Sequence, residues 1–149
     1  MYLCVILDLY SRRVVGWSMG SRINTALVEQ ALSMATTGRQ AVAGELLHHS
    51  DRGAQYASRR FCEALQARRI TCSMSRKGNC WDNAVVESFF ATLKIECTRD
   101  EHLLTRAYAR SLVFDYIEGF YNTRRRHSFL GYVSPADYEK INPARSIAC

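Results

Sequence analysis

The chain opens on an unbroken apolar run, YLCVILDL, which predicts a buried strand. RRVVGWSM follows as a second strand after a short polar turn at Ser11 and Arg12, and the two predict a hairpin. From Asn24 the apolar spacing becomes helical. Leu27, Ala31, Leu32 and Ala35 share one face, Asn24 or Thr25 is available as the cap, and Gly38 lies beyond the end. ELLHHSD then predicts a short strand ending in Asp51. Ser58 caps a predicted helix through Phe61, Leu65 and Ala67, and ITCSMS returns as a strand. The predicted order is strand, strand, helix, strand, helix, strand, an α/β plan.

The stretch Ser75 to Asn79 is polar and glycine-bearing and reads as a mobile loop. Asp82 or Asn83 then caps a helix on which Asn83, Glu87, Ala91 and Lys94 fall on one face. Val85, Phe89 and Leu93 lie opposite, flanked by Val86 and Phe90, and predict the buried side. A further helix is predicted around Thr105 to Tyr121, with Tyr108, Leu112, Tyr116 and Phe120 spaced by four. Its end runs into YNTRRRHSFLGYVSPADYE, a basic turn followed by an apolar, proline-containing tail.

A chain of 149 residues is the size of one domain, able to bury roughly 70% of its unfolded surface. Its net charge of +6 and isoelectric point near 9.2 make polyanions natural partners. Seventeen of the twenty basic residues are Arg, whose planar fork suits phosphate oxygens, although a coding preference for Arg explains the count as well. Six scattered cysteines form no zinc-type spacing and read as reduced thiols. The N-terminal apolar run is too short for a signal peptide or a membrane span, so the chain is expected to be cytoplasmic and unanchored.

Two acids then stand out. Asp51 ends a predicted strand before Gly53, which would let the backbone turn away beneath it. Glu87 lies on the polar face of the next helix. An acid at a strand's C-terminal end and one on a neighbouring helix can share a cleft at the sheet edge. Two carboxylates about 5 Å apart repel by roughly 3 kcal/mol at an effective dielectric near 20, and a divalent cation relieves that repulsion. Each acid also has a plainer reading. Asp51 in SDRG is a turn former, and Glu87 is a solvated carboxylate within reach of Lys94. Likewise the RRRH run, Arg124 to His127, serves either as a DNA contact or as a solvated turn complementing a helix C-terminus.

The words HSDRGAQYAS and GNCWDNAVVESFFATLK, with 35 residues between Asp51 and Glu87, resemble the second and third acidic motifs of the DDE transposases of bacterial insertion sequences, relatives of the retroviral integrase core. YLCVILDLYSRRVVGW and YNTRRRHSFLGYVSPADYE also look like family segments. Lys94, seven residues after Glu87, falls where that family places a basic residue. The resemblance implies an RNase H-like fold, a mixed sheet flanked by helices, in one catalytic core domain over 1–149 with a helical basic part from about residue 100. It implies Mg²⁺- or Mn²⁺-dependent attack of water and then of a DNA 3′-hydroxyl on phosphodiesters, in a homo-oligomer that brings transposon ends together on target DNA. Carried onto this chain, Asp51 and Glu87 become metal ligands and Lys94 a DNA contact. Asn83 is either a partner of the acid or of a phosphate, or simply the helix cap, and Arg124, Arg125 and Arg126 are candidate phosphate contacts.

One family feature has no counterpart. The first metal-binding Asp lies on a strand upstream of the part that YLCVILDLYSRR resembles, and no residue here matches it. Asp8 sits in the motif that follows that strand, and is read as a hairpin-end residue paired with Arg12, Arg13 or backbone amides. The unmatched strand is central in that fold, between YLCVILDL and LLHHSD. The sheet is therefore expected to lack its first, central strand, and this chain alone to be inactive. Recognition of DNA ends is expected from an upstream domain or a partner chain. The alternatives are a non-catalytic DNA-binding regulator or competitor of full-length transposase, and a metal-independent assembly protein whose basic excess is only surface.

Overall fold

A computed structural model describes residues 1–39, 44–75, 83–99 and 105–143. Of the features predicted above, residues 76–79, Cys80, Asp82 and Cys149 lie outside these. The predicted hairpin is present. Strand β1 (Tyr2–Leu7) pairs antiparallel with β2 (Val14–Gly20), and the register shifts between Ile6, opposite Gly16, and Leu7, opposite Val14. Helix α1 (Thr25–Gly38) starts at Asn24, whose side chain accepts from the Leu27 amide at 3.0 Å. Its face of Leu27, Val28, Ala31, Leu32 and Ala35 is buried. Gly16 is the seat for this helix, because a Cβ there would lie 2.2 Å from the Ala31 carbonyl oxygen.

Strand β3 (Leu47–Ser50) pairs parallel with β4 (Thr71–Met74) across helix α2 (Arg59–Ala67), which is capped by Ser58. Backbone bonds from Thr71 to Leu46 and from Ser75 to Ser50 extend this ladder at both ends. Among the described residues no ladder joins β1 to β3, and the four strands form two separate pairs. Two cores flank the hairpin. Cys4, Leu27, Val28, Ala31, Leu32, Phe61, Leu65 and Ile70 pack between α1, α2 and one side of β1. Val5, Leu7, Val14, Phe89, Leu93, Val113, Ile117 and Tyr121 pack on the other side.

Helix α3 (Ala84–Leu93) continues as a five-residue π turn, Lys94–Thr98. Phe89 and Leu93 are buried, as the spacing predicts. Helix α4 (Arg106–Phe114) likewise runs into a π turn, Asp115–Tyr121. The spaced-by-four stripe is buried only in its middle. Tyr108 and Phe120 are 44% and 40% exposed, whereas Tyr116 is buried, Leu112 packs against the core, and Ala109, Val113, Ile117 and Tyr121 are inside. Both stripes have helical spacing, and the surface formed by Phe89 and Leu93 takes the second one whole and the first only in part. The chain then makes a 3₁₀ turn, Ser128–Leu130, and α5 (Pro135–Ile141), capped by Ser134, is the last described helix.

Two polar ties bind the ends of the chain together. Asp8 is fully buried, accepts from the Tyr10 amide at 2.9 Å and pairs with Arg39 at 3.1 Å. Ser11 Oγ stands 3.0 Å from Asp8 and 2.8 Å from Glu139, and Glu139 also pairs with Arg13 and Arg39. The predicted backbone pairing of Asp8 is therefore present, but its guanidinium partner is Arg39, delivered by the end of α1, and not Arg12 or Arg13. Asn122, 1% exposed, accepts from the Val14 amide at 2.9 Å and donates to the Val14 carbonyl at 3.0 Å.

Asn122→Ala would leave both Val14 groups unpaired in the core, and urea denaturation should show a loss of about 3 kcal/mol or more. Asn122→Asp should be no better. It keeps an acceptor for the amide but sets a carboxylate against the Val14 carbonyl.

Candidate functional site

Asp51 is the first residue after β3 and is exposed. Its Oδ1 accepts from the Gly53 amide at 2.8 Å, which is the turn-forming bond expected of SDRG. Gly53 itself does not adopt the left-handed backbone. Among the described glycines only Gly44 and Gly131 do, so the carboxylate makes the turn, and the freedom expected of Gly53 is not used. The turn-forming reading of Asp51 is thus present, on a residue that is exposed. Asn83 sits at the N-cap position of α3 but makes no capping bond. Its Oδ1 lies 3.3 Å from Ser75 Oγ, which in turn lies 3.2 Å from the Ser50 carbonyl. Ser75 therefore ties the strand end that carries Asp51 to the first turn of the helix that carries Glu87.

His49 supports that tie, its ring nitrogens 3.0 Å from Ser73 Oγ and 3.2 Å from Ser75 Oγ. Arg52 donates to the Ser75 carbonyl from the other side. Glu87 and Lys94 are exposed on the predicted polar face of α3, with Ala91 between them. Among the described residues no ion pair engages Asp51, Glu87 or Lys94, so the Glu87–Lys94 pairing weighed above is not formed. No cluster of three or more His, Cys, Asp or Glu side chains among those residues is arranged for a metal ion. Asp8, enclosed by Tyr10, Ser11 and Arg39, has no open oxygen to offer one.

The three arginines of the basic turn differ from one another. Arg124 and Arg126 are exposed. Arg125 Nε donates to both oxygens of Glu96, at 3.1 and 2.9 Å, and Tyr116 OH donates to Glu96 at 2.8 Å. Partial burial works against Glu96 ionising, but these bonds outweigh it and hold its carboxyl below the usual range. Arg125 is thus partly committed to structure, which RRRH alone does not reveal. The same turn opens onto a groove of about 520 Å³ along α3, lined among others by Arg12, Ser88, Thr92, Arg126, Phe129 and Tyr132. The sequence offered one signal for it, the aromatic residues directly following RRRH.

Residues 1–80 and 68–135 each match a model described as integrase core domain. The chain belongs to the integrase core domain family. It is 47% identical over 142 residues to the transposase for insertion sequence element IS904 of Lactococcus lactis subsp. lactis (strain IL1403), covering 95% of this chain and 56% of that one. It is 46% identical over 144 residues to transposase InsF for insertion sequence IS3A of Escherichia coli (strain K12), covering 97% of this chain and 50% of that one. The chain spans about half the length of these curated relatives. A chain of the simian T-cell lymphotropic virus intasome, determined by cryo-electron microscopy in complex with PP2A regulatory subunit B56 gamma, superposes with a TM-score of 0.74 at 17% identity, covering 97% of this chain and 50% of that one. The fold is therefore the RNase H-like integrase core, as the motifs implied. Among the described residues no helix is long and apolar enough to cross a membrane.

Two histidines flank the site and the groove. His48 packs between Tyr56 and Phe61, and burial lowers its pKa to about 4. His127 falls to about 4 as well, through burial and then the Arg125 and Arg12 charges. Both folded values lie below the ordinary 6.5, so the unfolded chain takes up the extra protons. Their contribution is complete above about pH 6.5 and is lost as pH falls toward 4. Denaturation midpoints should drop across that window, and His48→Phe, which keeps the ring contacts, should flatten part of the drop.

Proposed function

We propose that this chain is the metal-dependent DNA cleavage and strand-transfer core of an insertion-sequence transposase. The observation that supports this most is the tie through Ser75, which sets the Asp51 strand end beside the Glu87 helix in a chain of the integrase core family. Both carboxylates are exposed hard-oxygen donors without an ion-pair partner among the described residues. That donor set suits a largely hydrated Mg²⁺ or Mn²⁺, which binds through one or two carboxylates plus substrate phosphate. When bound, such an ion polarises a phosphodiester oxygen and activates water.

The chain's own residues would do the rest. Asp51 is oriented by its bond from Gly53, and Glu87 is carried by a helix anchored through Phe89 and Leu93. Lys94, on the same face, neutralises a phosphate next to the reacting one, and Asn83 holds the helix start in place or turns its amide to a phosphate. Arg124 and Arg126 add sequence-independent phosphate contacts, with Arg125 behind them. DNA ends and target are the proposed substrates, worked on by a homo-oligomer, with end recognition supplied by an upstream domain or a partner chain. Two acids hold one ion more readily than the pair needed for strand transfer, so these residues alone are proposed to bind metal weakly and not to join strands.

Calorimetric titration of Mn²⁺ tests the first part. Binding should be weak, and Glu87→Gln should abolish it with an unchanged melting midpoint. Retained binding in that variant would sink the proposed ligand set. If metal binding is absent while DNA is bound, the protein is instead a non-catalytic regulator or competitor.

DNA affinity should fall steeply with salt. Replacing Arg124 and Arg126 with Ala should reduce the slope of log affinity against log salt by about 2 units, close to one per lost phosphate contact. Arg125→Ala should add less than either, since Glu96 already balances its charge. An unchanged slope in the double variant would mark the run as a solvated turn.

A further inference from the structure

We propose that the loop 127–133 is a stacking platform for an unpaired nucleotide, at the mouth of the groove beside α3. The proposal rests on the DNA reading above and specifies the form of DNA that the groove accepts. The loop is tightly closed. His127 and Val133 form an isolated bridge, the Tyr132 amide donates to the His127 carbonyl at 2.9 Å, and Leu130 is buried beneath as the anchor. On this rigid base Phe129 and Tyr132 are each 70% exposed. A loop closed so firmly gains nothing in folding from holding two rings in water.

The backbone points the same way. Tyr132 has a φ of +63° and Arg12, across the groove, a φ of +60°, a conformation costly for side chains of either kind. Strain of this sort gathers where a side chain is aimed at a ligand. The Arg12 guanidinium lies over one face of Phe129, 4.1 Å from the ring centroid, leaving most of the residue's surface open. Arg12, Arg125 and Arg126 line the groove, and among the described residues no acid does, while Ser88 and Thr92 present hydroxyls from α3. Its volume of about 520 Å³ falls in the range of small-ligand sites.

Cationic walls with hydroxyls suit a phosphodiester chain, and open rings suit the faces of bases. Within a duplex those faces are covered by neighbouring base pairs. The ligand that uses both features is therefore a single strand or a frayed duplex end. Ser88 lies next to Glu87 on α3, so a strand laid in the groove runs past the helix that carries that carboxylate.

The test uses the whole 149-residue chain, with a labelled oligothymidylate, a blunt duplex, and a duplex whose mismatched end carries 2-aminopurine. The variant is Phe129→Ala combined with Tyr132→Gly. Glycine suits the positive φ, so the melting midpoint should not fall, and a loss of affinity is not a loss of fold. Binding of the single strand should weaken roughly 5- to 150-fold, the usual effect of removing a base-stacking ring. Blunt-duplex affinity should stay within about twofold, and the 2-aminopurine quench seen with the parent chain should disappear. Equal affinity of parent and variant for the single strand overturns the proposal. So does a variant that leaves DNA affinity alone but dissociates an oligomer, which would make the loop a contact between copies. If the parent chain binds no DNA at all, the functional reading fails with it; if it binds duplex but shows no preference for unpaired ends, the platform alone fails.

Discussion

The pairing of the Asn122 side chain with the Val14 backbone is the constraint on which the other long-range contacts rest. A single amide there offers an acceptor and a donor in the arrangement of a neighbouring strand, and satisfies the first residue of β2 where no strand does so. The same residue's carbonyl accepts from the Ala136 amide, so positions 14, 122 and 136 meet at one point. Its neighbour Tyr121 is thereby fixed edge-on against Phe89, ring centroids 4.9 Å apart. Phe89 orients α3, and α3 carries Glu87. The direction of the carboxylate is thus set from a core amide more than thirty residues away in sequence.

The Asp8 network acts beside it but by different physics. Burial pushes the Asp8 carboxyl upward in pKa, against the hydrogen bonds from Tyr10 and Ser11 and the Arg39 charge. Removing these charges from water offsets most of what their attraction returns, so the network is a poor source of net stability. It is a good source of position. Asp8 at the hairpin, Arg39 at the end of α1 and Glu139 on α5 form a joint that only one arrangement of the three elements satisfies.

Most local features were legible from the chain because they depend on neighbours. Asn24, Ser58 and the apolar periods of α1 and α3 act within one helical turn, and Asp51 makes its turn bond two residues away. What could not be read was which groups meet across the fold. Arg39 is an ordinary helix-end residue in sequence, Asn122 an ordinary polar residue after an aromatic one, and Glu96 a charge among charges. Their partners lie 31, 108 and 29 residues away. How deeply each position of the segment 106–121 is buried was hidden for the same reason, since it is set by the surface against which the helix packs.

The candidate site inherits its character from the division of the sheet. Asp51 belongs to the β3–β4 pair, held by the core around Phe61 and Leu65, whereas Glu87 belongs to α3, held by the core around Phe89 and Ile117. Near the site, the side-chain hydrogen bond that joins these halves runs from the Ser75 hydroxyl to Asn83, with His49 supporting Ser75 from the β3–β4 side. One hydroxyl hydrogen serves the Ser50 carbonyl or Asn83 at any moment, not both. Such a link sets the halves side by side without fixing the carboxylate separation as tightly as a continuous sheet would, because a ladder shares strain over many bonds. A strand seated between β1 and β3 would join both cores through backbone bonds, and the geometry of Asp51 and Glu87 would then follow from the sheet instead of from one serine.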